Sequence, residues 1–198
     1  MDAFTIALIL LWAVVLALGI VVIALARQIG ILYERVAPMG ALMTDAGPKI
    51  GEASPKFALQ AVGSGKPVPV GTASGRSLLI FFLSPTCPVC KKLLPVLKSA
   101  QKVEKGWLDI VLASDGEAPK HEAFIESHKL DGFPYVLSSD LGMAYRVSRL
   151  PYGVVLDGEG TVRAKGLINN REQLESLFNA KEMGVASIQG FLDQVKEA

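Results

Sequence analysis

At 198 residues the chain is long enough for one compact domain plus an accessory segment. Its charges nearly cancel, with a formal net of +1, which excludes the strong basic field that nucleic-acid binding draws on. Its two cysteines are Cys87 and Cys90, and a disulfide across so short a loop restricts the unfolded chain little, so the pair points to chemistry rather than to stapling.

From Phe4 to Ala26 the sequence carries no charge. As a helix this run reaches about 34 Å, enough to cross a hydrocarbon core of about 30 Å. Ala24-Leu25-Ala26 has the small-x-small form of a cleavage site. Against cleavage, the leading residues hold Asp2 and no basic side chain, and the run exceeds the roughly 7–15 apolar residues of a signal peptide. The expectation is an uncleaved anchor over 1–27. Arg27 and Arg35 follow it with no basic residue before it, and the positive-inside rule would put the remainder in the cytoplasm. Thiol chemistry, more useful in an oxidising compartment, argues for the periplasm, and a single-pass inner-membrane protein with a periplasmic domain is the reading adopted.

Residues 28–50 read as a linker: a helical continuation from Ile29 to Val36, then Pro38, Gly40, Gly47 and Pro48. A folded domain over 51–180 is expected to open near Gly51, and a helical tail occupies 181–198, with its helix from Ser187 to Val195. The apolar run from Leu78 to Leu83 suits a strand buried on both faces. Ser84-Pro85-Thr86 forms a turn into Cys87, and apolar residues at Val89, Leu93, Leu94, Val96 and Leu97 mark a helix that Pro95 would kink. Leu108 to Ala113 reads as a second buried strand and Pro119 to Leu130 as an amphipathic helix with Phe124 and Ile125 on its apolar side. A short strand at Tyr135–Leu137 and a helix near Leu141 to Val147 follow. Tyr152–Leu156 and Thr161–Lys165 flank Asp157-Gly158-Glu159-Gly160, a hairpin turn, before a helix from Arg171 to Asn179. This is an α/β order.

Cysteine at the first position of a helix that follows a buried strand has a physical logic. Unpaired N–H groups and the helix dipole stabilise a thiolate there, and thiolates attack disulfides. Cys87 is therefore the expected nucleophile. Cys90, one turn further in, would resolve the mixed disulfide and release the partner. Pro88 at the helix start forfeits no needed N–H. Thr86, Pro88 and Val89 complete the motif's surround. Lys91 and Lys92 read as a solvated face. Zinc would need two more ligands, and His121 and His128 are spaced more widely than the usual roughly three to five residues. Both are expected on a solvated helix face, and neither a metal nor a cofactor is expected.

Several stretches together resemble the thioredoxin-like redoxin family: FFLSPTCPVCKKLLP, DGFPYVLSSDLGMAYRVSRLPYGVVLD and LINNREQLESLF. With ALARQIGILYERVAP after the anchor, nearly the whole chain resembles the methylamine-utilisation accessory family, thioredoxin-like maturation factors for methylamine dehydrogenase. The resemblance implies a central mixed sheet with flanking helices. It implies that Pro151 is a cis proline facing the cysteines, leaving the backbone of Leu150 free to bind an extended substrate. It also implies the dehydrogenase small subunit as substrate, with disulfides formed or isomerised in it, and an integral-membrane partner that recycles the pair. The chain departs from reductants of this superfamily: Phe81 stands where thioredoxin keeps a buried aspartate, Leu93 where haem-maturation reductases often carry a glutamate, and Thr86 where thioredoxin places tryptophan. A peroxiredoxin pattern of proline and threonine ahead of the reactive cysteine is missing. Two alternatives stay open: a tethered reductase for c-type cytochrome maturation, and a chaperone whose cysteines are incidental.

Overall fold

The computed structural model describes residues 2–35 and 47–183, in two compact units, Met1–Thr44 and Asp45–Ala198. The first unit is a helix, α1 (Ala3–Arg35), containing a 20-residue span, Phe4–Ile23, of mean hydropathy 3.2. Phe4, Ile9, Trp12, Leu16, Ile20 and Ile23 are all exposed, and the described residues of this span carry no charge. By length and composition it is a candidate membrane span. The expected loop around Pro38 and Gly40 and the tail helix at Ser187–Val195 lie outside the described residues.

In the second unit a hairpin of β1 (Phe57–Gln60) and β2 (Pro67–Val70) precedes a five-stranded sheet. The sheet elements are β3 (Ser77–Phe82), β4 (Leu108–Ser114), β5 (Tyr135–Leu137), β6 (Tyr152–Leu156) and β7 (Val162–Leu167), in the order β5-β4-β3-β6-β7. Helices α2 (Pro88–Val103) and α3 (Ala118–His128) connect parallel strands, whereas β6 and β7 run antiparallel to β3 and to each other respectively. Short α4 (Ser139–Ala144) precedes β6, and α5 (Arg171–Met183) closes the unit. The architecture is thioredoxin-like, as the family resemblance implied.

Strand periodicity divides the core. Leu79, Phe81 and Leu83 join Leu93, Leu94 and Leu97 of α2, Phe124 of α3 and Leu174 of α5 on one face. Ile80 and Phe82 join Val68 and Val70 of β2, Leu141 of α4 and Tyr145 on the other. Both sheet edges are partly closed: Ala61 bridges Val136 on β5, and Gly51 and Glu52 bond Val162 on β7. The helix near Leu141–Val147 is shorter than expected. It ends at Ala144 because Val147 N–H turns back to the Gly142 carbonyl and Arg146 N–H to that of Met143. α2 continues past Pro95, which is exposed.

Candidate active site

The turn ahead of the cysteines is built by its own side chains. The Cys87 N–H donates to the Ser84 carbonyl at 3.0 Å, the Thr86 N–H to Ser84 Oγ at 3.3 Å, and the Ser84 and Thr86 hydroxyls lie 2.9 Å apart. Cys87 thereby becomes the N-cap of α2, in extended backbone (φ −81°, ψ 112°), with Pro88 as the first helical residue. Its Sγ accepts from the Cys90 N–H at 3.2 Å. A capping sulfur receiving a helix N–H occupies the place where negative charge is favoured. Cys87 is half-buried, Thr86 and Pro88 are exposed and Val89 is half-buried, so the first cysteine is reachable from solvent. Lys91 and Lys92 are exposed.

Cys90 is different. It is fully buried, disulfide-bonded to Cys87 with a Cα–Cα distance of 5.3 Å, and belongs to the same apolar cluster as Phe81, Leu93 and Leu94. The two positions where related reductants hold a carboxylate are thus occupied by buried hydrocarbon. Apolar burial disfavours a thiolate, so the two sulfurs have opposite environments within one helical turn.

Leu150-Pro151 is a cis peptide. The β3–β6 register ends at Phe82 opposite Tyr152, which sets Pro151 alongside Leu83, at the end of the sheet where the chain turns toward Cys87. Pro151 is buried and its carbonyl accepts from Ile168 N–H at 3.1 Å. Leu150 is exposed, and its backbone makes no hydrogen bond among the described residues. Gly153, two residues on, is tightly held: a Cβ there would lie 2.5 Å from Ile168 Cδ1.

The expectation that both histidines decorate a solvated face is corrected for His121. It is only 3% exposed. Its Nε2 donates to the Asp115 carbonyl at 2.9 Å, and its Nδ1 hydrogen-bonds the Tyr135 hydroxyl at 2.7 Å. Tyr135 also hydrogen-bonds Ser114, whose hydroxyl donates to the Leu83 carbonyl at 2.8 Å. A buried polar chain therefore runs from α3 to the residue that starts the active-site turn. Burial pushes the Tyr135 phenol up to about 12, against the lowering effect of Ser114, with the Asp115 carboxylate adding to the rise. The signal was in the sequence: His121 lies three and four residues before Phe124 and Ile125, hence on the same helical face. His128 is half-buried, with Nδ1 3.1 Å from the Phe124 carbonyl.

On the other side of the sheet a groove of about 860 Å³ starts at Phe82 and Leu83 and reaches Arg149 and Leu150. It borders both the turn into Cys87 and the residue before Pro151. No sequence signal pointed to it, because its walls come from three separate elements.

The Redoxin family profile matches residues 49–181. The chain is 47% identical over 189 residues to the methylamine utilization protein MauD of Paracoccus versutus, covering 96% of this chain and 94% of that one. It is 46% identical over 200 residues to MauD of Paracoccus denitrificans, covering 100% and 98%. Among solved structures it resembles a thioredoxin-family thiol:disulfide interchange protein of Chlorobium tepidum (TM-score 0.57, 18% identity, 68% of this chain and 96% of that). StoA of Bacillus subtilis is similar too (TM-score 0.54, 24% identity, 64% and 99%). At these identities the two structures speak to the fold alone.

Proposed function

This chain belongs to the Redoxin family, among the methylamine utilization proteins MauD, and on that premise we propose that it is a membrane-anchored thiol–disulfide oxidoreductase for maturation of the methylamine dehydrogenase small subunit. The observation that carries the reading is the contrast at the N-terminus of α2: an accessible, N-capping Cys87 bonded to a buried Cys90.

In the disulfide form, a substrate thiolate attacks Cys87 Sγ, the Cys87–Cys90 bond breaks, and Cys90 leaves as a thiolate that takes a proton. A second substrate thiolate then attacks the substrate sulfur of the mixed disulfide and expels Cys87, stabilised at the helix start. The substrate gains one disulfide and loses two electrons and two protons, and the chain gains them as two thiols. An integral-membrane partner would reoxidise the pair. For isomerisation, the reduced form attacks a wrong disulfide through Cys87 and is expelled when the substrate re-pairs, with no net electron transfer. The apolar setting of Phe81 and Leu93 around Cys90 supports these roles over a fast general reductase, which gains from a carboxylate that moves the proton. Leu150 and Pro151 would bind the substrate strand, with Thr86, Pro88 and Val89 forming the floor around Cys87. We assign 1–27 to the anchor, 28–50 to the linker, 51–180 to the redox domain and 181–198 to the tail, with the domain in the periplasm.

The test is trapping in cells. Cys90→Ser removes the residue that frees a stalled substrate and should accumulate a reducible mixed disulfide with the dehydrogenase small subunit, which Cys87→Ser abolishes. Protease added to spheroplasts should digest the domain and spare the anchor. An adduct with apocytochrome c would favour the reductase alternative; full cellular activity of both variants without any adduct would sink the oxidoreductase reading.

A further inference from the structure

Two arginines of the domain differ from the others. Arg76 is paired with Asp109, Arg163 with Asp157 and Arg171 with Glu175. Arg146 and Arg149 form no ion pair among the described residues, both are exposed, and both line the groove that begins at Leu83. Arg146 also occupies a left-handed backbone position, φ 49°, at the stop of α4. Glycine is the usual residue there, because any Cβ crowds the carbonyl. Ending the helix requires a left-handed residue; it does not require a guanidinium. Arginine at that position carries a guanidinium to the groove it lines.

The groove supplies the rest of a binding surface. Phe82, Leu83, Met143 and Val147 give it apolar walls, and one carboxylate, Asp115, also lines it without pairing to either arginine. Its charge is thus two cations against one anion. Leu83 leads through the Ser84–Thr86 turn to Cys87 and Leu150 leads to Pro151, so the groove borders the cysteines where the two strands end side by side.

We propose that this groove docks an acidic, extended segment of the substrate protein, next in sequence to the cysteine that exchanges with Cys87. Carboxylates of the segment pair with Arg146 and Arg149, whose planar forks suit two-point binding, and its apolar side chains lie on Phe82 and Met143. Exposed charges of this kind act mainly on encounter and selection among partners rather than on holding strength. The proposal rests on the thiol-exchange reading of Cys87, and names which substrates that site prefers.

The test uses the full chain in detergent, in its disulfide form, with synthetic peptides that carry two cysteines and differ only in their flanking residues: two aspartates, two asparagines or two lysines. Each reaction moves two electrons and two protons from the peptide dithiol to the Cys87–Cys90 disulfide. Each rate is divided by that peptide's rate with a small neutral disulfide, which removes differences in thiol acidity. The aspartate peptide should outpace the lysine peptide on the order of tenfold, and high salt should erase the gap. Arg149→Gln and Arg146→Gly should each narrow it. The second variant places the favoured residue at the left-handed position, so its loss of preference does not come from misfolding. Arg171→Gln, remote from the groove in sequence and paired on α5, should keep the preference. Equal rates for the three peptides, or a preference that survives both groove substitutions, would overturn the docking proposal and leave thiol exchange standing. No exchange with any peptide would bring down the thiol-exchange reading and the docking proposal with it.

Discussion

The two faces of the central sheet are used differently. On the α2 face, β3 contributes Leu79, Phe81 and Leu83 to a core that takes in Cys90 and is stitched, near Leu83, by the His121–Tyr135–Ser114 chain. On the α4 face the same strand contributes Ile80 and Phe82 to a core with Tyr145, and the layer opens into a groove lined by Arg146 and Arg149. Alternation along one strand is enough to separate them, because consecutive side chains point to opposite faces. Both faces end at the same turn, Ser84–Thr86. The lesson is a division of labour: one face fixes the cysteines in place, and the other is free to meet a partner without disturbing them.

The largest expected contrast is in stability. Leu97 on α2 is fully buried, whereas Met143 on α4 is 65% exposed at the groove. Leu97→Ala should cost about 2–5 kcal/mol, the lost burial plus the cavity left behind. Met143→Ala should stay within about 0.5 kcal/mol. Denaturant unfolding of the two variants reads both values. Equal losses would mean that the α4 face is as tightly packed as the α2 face, and the division would not hold.

A sharper test removes polar atoms from the α2 face. Tyr135→Phe leaves His121 Nδ1 buried without its partner, and His121→Ala strands the Asp115 carbonyl and takes one of two partners from the Tyr135 hydroxyl. Each should cost about 1–3 kcal/mol, the range for a buried polar group left unsatisfied. If the chain also holds the Leu83 carbonyl, and with it the active-site turn, these variants should slow thiol exchange. Val103→Ala, at the exposed C-terminal end of α2 and outside the groove, should not. Unchanged exchange rates in well-folded His121→Ala would confine the chain to a structural part.

The contrast between faces also explains what could be read from the sequence. The run from Leu78 to Leu83 was legible because a strand buried on both sides is apolar at every position. The Cys87 turn was legible because Ser, Pro and an N-capping residue announce a helix start. Asp157–Gly160 announced the β6–β7 turn in the same way; there the Asp157 side chain accepts from the N–H groups of Glu159 and Thr161. The β1–β2 hairpin was not legible. Pro67 and Pro69 argue against a strand, yet both are exposed and alternate with buried Val68 and Val70, so each missing N–H falls where a short hairpin tolerates it. The end of α4 is hidden in the sequence, because apolar Val147 continues the helical period after the chain has already turned back at Arg146. The burial of His121 is hidden too, because a polar residue type stands on the Phe124 face. The groove could not be read at all, since Phe82, Arg146 and Leu150 meet only through tertiary structure.

The smallest expected effect pairs the faces directly, through their buried tyrosines. Tyr145 hydrogen-bonds the Ser54 hydroxyl, and Ser54 also donates to the Pro55 carbonyl at 2.9 Å. Tyr145→Phe therefore leaves Ser54 with a partner, and the loss should be about 0.5–1.5 kcal/mol, below that of Tyr135→Phe. Alkaline pH separates the two further. Burial raises both phenols in the fold, Tyr135 from 10.0 to about 12. Between those values the unfolded chain has released a proton that the folded chain retains, so the folded state binds more protons and its stability falls as pH rises. The contribution is complete below pH 10 and is lost progressively toward about pH 12. Unfolding curves across that window should show a downward slope that each Tyr→Phe change makes shallower. Tyr135→Phe should do so while also lowering stability at neutral pH by the larger amount, since only there does a buried imidazole nitrogen lose its partner. A slope identical in both variants and the unaltered chain would show that neither phenol is held neutral by its burial, and the polar chain behind the active-site turn would lose its physical basis.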